Sequence, residues 1–105
     1  MKKRSIKISG MQWLTLLFSL VFLINGYAVN YYKLGSQSYR QGHYDKAIGY
    51  YKKALAVYLK KFGPQHTRVA IIYNNIGLAY DSKGQYDQAI VYYQKSLDID
   101  VKKYG

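Results

Sequence analysis

Between residues 69 and 80 the apolar residues Val69, Ala70, Ile72, Tyr73, Ile76, Ala79 and Tyr80 recur at spacings of three and four. That spacing gathers them on one side of a helix beginning near Thr67. Gly84 supplies the left-handed residue that ends a helix cheaply, and Tyr86, Ala89, Ile90, Tyr93, Leu97 and Val101 resume the same period as a second helix. Upstream a turn at Gly42 is followed in the same way by Tyr44, Ala47, Ile48, Tyr51, Leu55 and Leu59. Gly63 and Pro64 close that helix, because Gly accepts the C-terminal turn and Pro cannot extend it; Thr67 is the expected N-cap of the next. No stretch carries a convincing strand pattern, so the predicted fold class is all-α.

The two helical pairs are one unit written twice. Residues 34–63 and 76–105 align at an offset of 42 without a gap, and thirteen of thirty positions are identical. A period of this size marks stacked units that each leave an apolar face for a neighbour, which predicts an α-solenoid and a binding function. The chain divides into 1–28, a first repeat over 29–66 and a second over 67–105. Gly35 and Gly77 fall in mid-helix, where glycine costs about 1 kcal/mol relative to alanine, so their reuse predicts a close helix approach. Ala47, Ala89, Ala54 and Ser96 play the same part on the second helices, with Tyr31, Tyr51, Tyr73, Tyr80 and Tyr93 filling the gaps around them. Ile90, Tyr93, Leu97 and Val101 lie on a final helix with no intramolecular cover on its stacking side, which predicts a homo-oligomer through that helix, a partner there, or a longer repeat product.

Charge modifies this picture at the N-terminus. Lys2, Lys3, Arg4 and Lys7 precede an uncharged run over 13–24, and Gly26, Tyr27 and Ala28 form a small-x-small site. This is the layout of a secretory signal cleaved after Ala28, and implies a secreted or periplasmic protein. The alternative is an uncleaved membrane anchor contacting lipid through residues 6–28, although the apolar core is shorter than the ~20 residues of a spanning helix. Sixteen Lys and Arg stand against five acids, all Asp, and twelve against five remain without residues 1–28. Such a balance favours acidic partners. Cysteine is absent, which excludes disulfides and thiolate metal sites.

The residues of the repeat resemble the tetratricopeptide repeat family. Its helix-A pattern of a large residue, Leu-Gly and Tyr is met by Tyr73, Ile76-Gly77 and Tyr80, and its helix-B pattern of Ala, aromatic and Ala by Ala89, Tyr93 and Ser96. In the first copy Tyr31, Leu34-Gly35, Ala47, Tyr51 and Ala54 meet it, while Ser38 departs from the usual aromatic. The 42-residue period, the run from Gly63-Pro64-Gln65-His66 to Ala70, and Asn74-Asn75-Ile76 are similar to the kinesin light chain type. The resemblance implies a right-handed superhelix whose A helices line a concave groove for a peptide or a partner's helix. Its groove-facing positions correspond to Tyr32, Lys33, Ser36, Tyr39 and Arg40 in the first unit, and to Asn74, Asn75, Leu78, Asp81 and Ser82 in the second. Asn75 corresponds to the asparagine with which some members hold a peptide carboxylate, and Lys33 and Arg40 would add charge there.

His43 in the turn and His66 in the linker have no second histidine or paired acid at ligand spacing, and no serine sits in a triad context, so neither an enzyme nor a metal or cofactor is implied. The expected function is a non-catalytic scaffold, exported or anchored. Two alternatives stand beside it: the sensor piece of a larger kinase or cyclase signalling protein, and a basic adaptor for anionic polymers. Nucleic acid would need Lys52, Lys53, Lys60 and Lys61 with Tyr50, Tyr51 and Tyr58 as a stacking surface, whereas a solvated helix face explains the same lysines. The export reading predicts that mass spectrometry of the protein from its native host finds Val29 as the N-terminus; intact Met1 in a membrane fraction would show the anchor instead.

Overall fold

The computed structural model describes residues 10–104. Among them are four helices and no strand: α1 (Gly10–Arg40), α2 (Tyr44–Phe62), α3 (Thr67–Ser82) and α4 (Tyr86–Tyr104). Consecutive helices pack on one another, so α1 and α2 form one hairpin, α3 and α4 a second, and α2 meets α3 between them.

The two hairpin turns are built alike because the same glycine occupies the same place. Gly42 has φ 80° and Gly84 φ 79°, a region that side chains with a Cβ rarely adopt. Around each, the helix ends with the same pair of hydrogen bonds. Gly42 and His43 donate to the carbonyls of Tyr39 and Ser38 at 3.0 and 2.9 Å; Gly84 and Gln85 donate to those of Asp81 and Tyr80 at 2.9 Å each. These bonds satisfy carbonyls that the helix itself leaves open. The cap of α3 differs from expectation. His66, not Thr67, is the N-cap, and its Nδ1 accepts from the Arg68 amide at 3.1 Å. Stacking on Phe62 at 4.5 Å holds the imidazole where it can cap, while Thr67 is already the first helical residue.

The core lies where α2 and α3 meet. Ala47, Ile48, Tyr51, Ala54 and Tyr58 of α2 are buried with Val69, Ala70, Ile72, Ile76 and Ala79 of α3 and Ile99 of α4. Ile72, Ile76 and Val69 are completely enclosed, and each such side chain stabilises the fold by about 1.5–3 kcal/mol. The polar Ser96 is accommodated because its hydroxyl donates to the Ala70 carbonyl at 2.8 Å.

The mid-helix glycines are the tightest points. A Cβ on Gly35 would lie 2.7 Å from the Tyr51 ring; on Gly77 it would lie 2.7 Å from the Tyr93 ring and 3.3 Å from the Ala89 carbonyl. Each helix A is therefore drawn against its helix B by a tyrosine ring lying on a glycine.

The first 28 residues do not form a separate element where they are described. The helix α1 runs through Ala28 without interruption, since nothing at Gly26, Tyr27 or Ala28 breaks a helix as Pro would. In its first half Trp13, Leu14, Leu16, Leu17, Phe18 and Leu20 are exposed. The uncleaved anchor is not supported, because no helix among the described residues is long and apolar enough to cross a membrane. The cationic residues of the expected signal, Lys2 to Lys7, lie outside the described residues.

The glycine contacts predict a ranking of stability. Gly77→Leu drives a branched side chain into the Tyr93 ring and costs about 1–3 kcal/mol, whereas Gly84→Ala strains only an open turn, by about 1 kcal/mol. Gly35→Ala is expected to cost more than Gly77→Ala, because Tyr51 is buried and cannot swing aside as the half-exposed Tyr93 can. Thermal melts of the four variants check both orders; equal losses would contradict the close-contact reading.

Candidate functional site

Hydrogen bonds between the A helices create a face that neither helix has alone. Asn75 Nδ2 donates to the Tyr32 hydroxyl at 3.2 Å, and the hydroxyls of Tyr39 and Ser82 are paired at 3.0 Å. Both pairs span 43 residues, one more than the repeat, so each joins a position in α1 to the next position of its copy in α3. A third contact comes from beneath, where Tyr51 of α2 donates through its hydroxyl to Ser36 Oγ at 3.2 Å. In the second unit the Tyr93 hydroxyl donates to Asp81 at 3.3 Å. Outside this layer Lys33 and Arg40 are exposed on α1, and Ile71 and Leu78 are 46% and 38% exposed on α3.

Not all ten groove positions share one environment. Tyr32 and Tyr39 are half-buried and pack on the core, so they form the floor. Asn75 is occupied by Tyr32, which leaves its amide less free than a carboxylate clamp requires. Asn74 instead lines a cavity of about 330 Å³ between α3 and α4, with Thr67, Ala70, Ile71, Ser96 and Asp100. Sequence reasoning missed two residues of the face, Arg68 and Ile71, which with Tyr32 and Tyr58 line a cavity of about 170 Å³ where α1, α2 and α3 converge. Their signal was present. Residues 68, 71, 75, 78 and 82 fall at helical spacing, and the stripe begins two turns before the residues singled out. Arg68 is held by the Phe62 ring, its guanidinium carbon 5.1 Å from the ring centroid.

The lysine and tyrosine surface of α2 is built differently from a stacking platform. Tyr51 and Tyr58 are buried, so two of the three aromatics face the core. Lys53 lies over Tyr31 at 5.4 Å and Lys95 over Tyr73 at 5.7 Å, the same contact one repeat apart. Lys52 donates to the Tyr80 hydroxyl at 3.3 Å, which keeps its ammonium protonated above the usual lysine range. These lysines spend their charge on ring faces.

Two phenols are shifted upward. Burial raises Tyr51, partly offset by the hydrogen bond to Ser36; burial also raises Tyr93, reinforced by the adjacent carboxylate of Asp81. For Tyr51 the unfolded chain then ionises first, near its ordinary value of 10.0. Stability is therefore complete below that pH and falls as pH rises from there toward the folded value. Tyr51→Phe is expected to cost about 0.5–1.5 kcal/mol at neutral pH through the lost hydrogen bond, and to flatten the alkaline fall. Melts between about pH 8 and pH 11 test this; an unchanged alkaline slope would refute the role of Tyr51.

Comparison with known proteins places this architecture. A family model for the tetratricopeptide repeat matches residues 27–100. None of the curated proteins matches the chain.

Proposed function

The chain belongs to the tetratricopeptide repeat family, whose repeats generally mediate protein–protein interaction, and on that footing we propose that it is a non-catalytic scaffold that holds an acidic, partly apolar peptide or helix on the α1–α3 face. The two hairpins are in this reading two units of a right-handed solenoid of the kinesin light chain type. The observation that carries the proposal is the pair of cross-unit hydrogen bonds, Tyr32 to Asn75 and Tyr39 to Ser82. They make two helices into one preformed surface, which lowers the ordering cost of binding. On that surface the exposed Ile71 and Leu78 offer apolar contact, and Lys33, Arg40 and Arg68 set a positive rim with Asp81 as the opposing charge.

Selection of a displayed peptide library on the full chain tests the reading. Enriched peptides are expected to combine acidic and apolar residues. Leu78→Asp is expected to weaken their binding by about 1–2 kcal/mol, the scale of a central contact, and Lys33→Glu to weaken it in a salt-dependent way. Peptides that bind the Leu78→Asp variant as tightly as the parent would overturn the assignment of this face.

A further inference from the structure

The repeat permits a comparison of each residue in the first unit with its copy in the second, one helix covered by a neighbour and the other not. Ile48 of α2 is 6% exposed, whereas its copy Ile90 of α4 is 63% exposed. Leu55, Leu59 and Tyr44 are half-buried, and their copies Leu97, Val101 and Tyr86 are 52%, 55% and 63% exposed. The difference is α3, which lies on α2. The outer stripe of α4 is thus the same surface without its cover.

Charge indicates what can approach it. The helix α2 carries five lysines and one aspartate, while α4 carries Lys95, Lys102 and Lys103 against Asp87, Asp98 and Asp100. Three of the five acids of the chain are on this one helix, which is neutral in a chain of net charge +11. A second copy, repelled elsewhere by like charge, meets no net charge here. A neutral face has correspondingly little attraction for a polyanion.

The first unit also determines how a second copy can be placed. In a continuing stack, α1 of one copy would lie on α4 of another as α3 lies on α2. The stripe that α3 turns to its preceding unit includes Ile72 and Ala79, both fully buried. At the position of Ala79 α1 has Gln37, which is exposed with Lys33 and Arg40 near it. Head-to-tail stacking would press the Gln37 amide onto the apolar stripe of α4 without a partner. A contact of α4 with α4 has no such conflict. Antiparallel pairing sets Asp87, at the start of the helix, toward Lys102 near its end, and parallel pairing sets like charges together.

We infer that α4 is a self-association surface, on which two copies of the chain pair antiparallel through Tyr86, Ile90, Leu97 and Val101 to form a closed twofold dimer. These four side chains offer roughly 500 Å² per copy, and a pair buries about 1,000 Å², just under the ~1,200–2,000 Å² of stable interfaces. The dimer therefore exchanges with monomer, and twofold closure stops growth at two.

Sedimentation velocity of the full chain over a hundredfold range of concentration tests the inference. The weight-average mass is expected to rise from 12.2 kDa toward twice that value and no further. Ile90→Lys combined with Leu97→Lys, at positions already exposed, is expected to lower the association constant at least thirtyfold with unchanged helical content. Association that survives this double variant, for instance through the apolar start of α1, overturns the proposal, as does a chain monomeric throughout or one that grows beyond the dimer. The absence of cysteine allows the orientation to be read directly. Gln94→Cys, midway along the stripe, is expected to cross-link to itself, and Val101→Cys to link to Tyr86→Cys but not to itself. Self-linking at Val101 in preference to Gln94 would overturn antiparallel pairing.

Discussion

A tyrosine ring lying on a glycine is the contact on which the rest of this structure depends. Tyr51 on Gly35 and Tyr93 on Gly77 leave no room for even a methyl group. The separation of the helices in each hairpin is set at that point, because a ring is rigid and a glycine has nothing to yield. The same tyrosines reach beyond the contact. With the ring fixed, each hydroxyl emerges on helix A, where it meets Ser36 in one unit and Asp81 in the other. Packing and the candidate binding face are thereby linked through a single side chain in each repeat, and the intrinsic helix penalty of glycine is offset by the burial it permits.

The unit-to-unit contact follows a second rule, that a helix in a stack must satisfy two neighbours. The helix α3 lies between α2 and α4, and Val69, Ile72, Ile76 and Ala79 are completely enclosed as a result. The helix α1 has one neighbour on that side and exposes Gln37 at the position of Ala79. The helix α4 has the apolar residues of an inner helix and the exposure of an outer one, so burial in this fold reflects position in the stack as much as residue type. An ion pair between Lys83 and Asp45 joins the two hairpin turns. Being exposed, it adds little to stability and serves mainly to align the units.

Much of the fold was legible in the residues because the repeat presents each signal twice. Gly42 and Gly84 mark turns that differ by one degree in φ, and Gly35 and Gly77 mark the close approach. The cap at His66 was not legible, since imidazole ranks low among capping residues and was recruited by stacking on Phe62, a contact between side chains that a propensity does not contain. Of the candidate face, the A-helix positions were readable from spacing and family resemblance. That Tyr32 engages Asn75, that Asn74 lines a different cavity, and that Arg68 and Ile71 join the face depended on how two helices lie beside each other.

The division between the two levels has a physical cause. Helix, turn and repeat are local, set by period, glycine and the exclusion of proline from helix interiors, and these are properties of neighbouring residues. They determined an all-helical chain of paired units with a stripe of apolar residues on each. Which stripe is covered is a matter of neighbours distant in sequence. Ile48 and Ile90 are the same residue in the same local context, and tertiary structure alone makes one core and the other surface. Only the packed fold decides this, because burial is a property of the space around a side chain and not of the side chain itself.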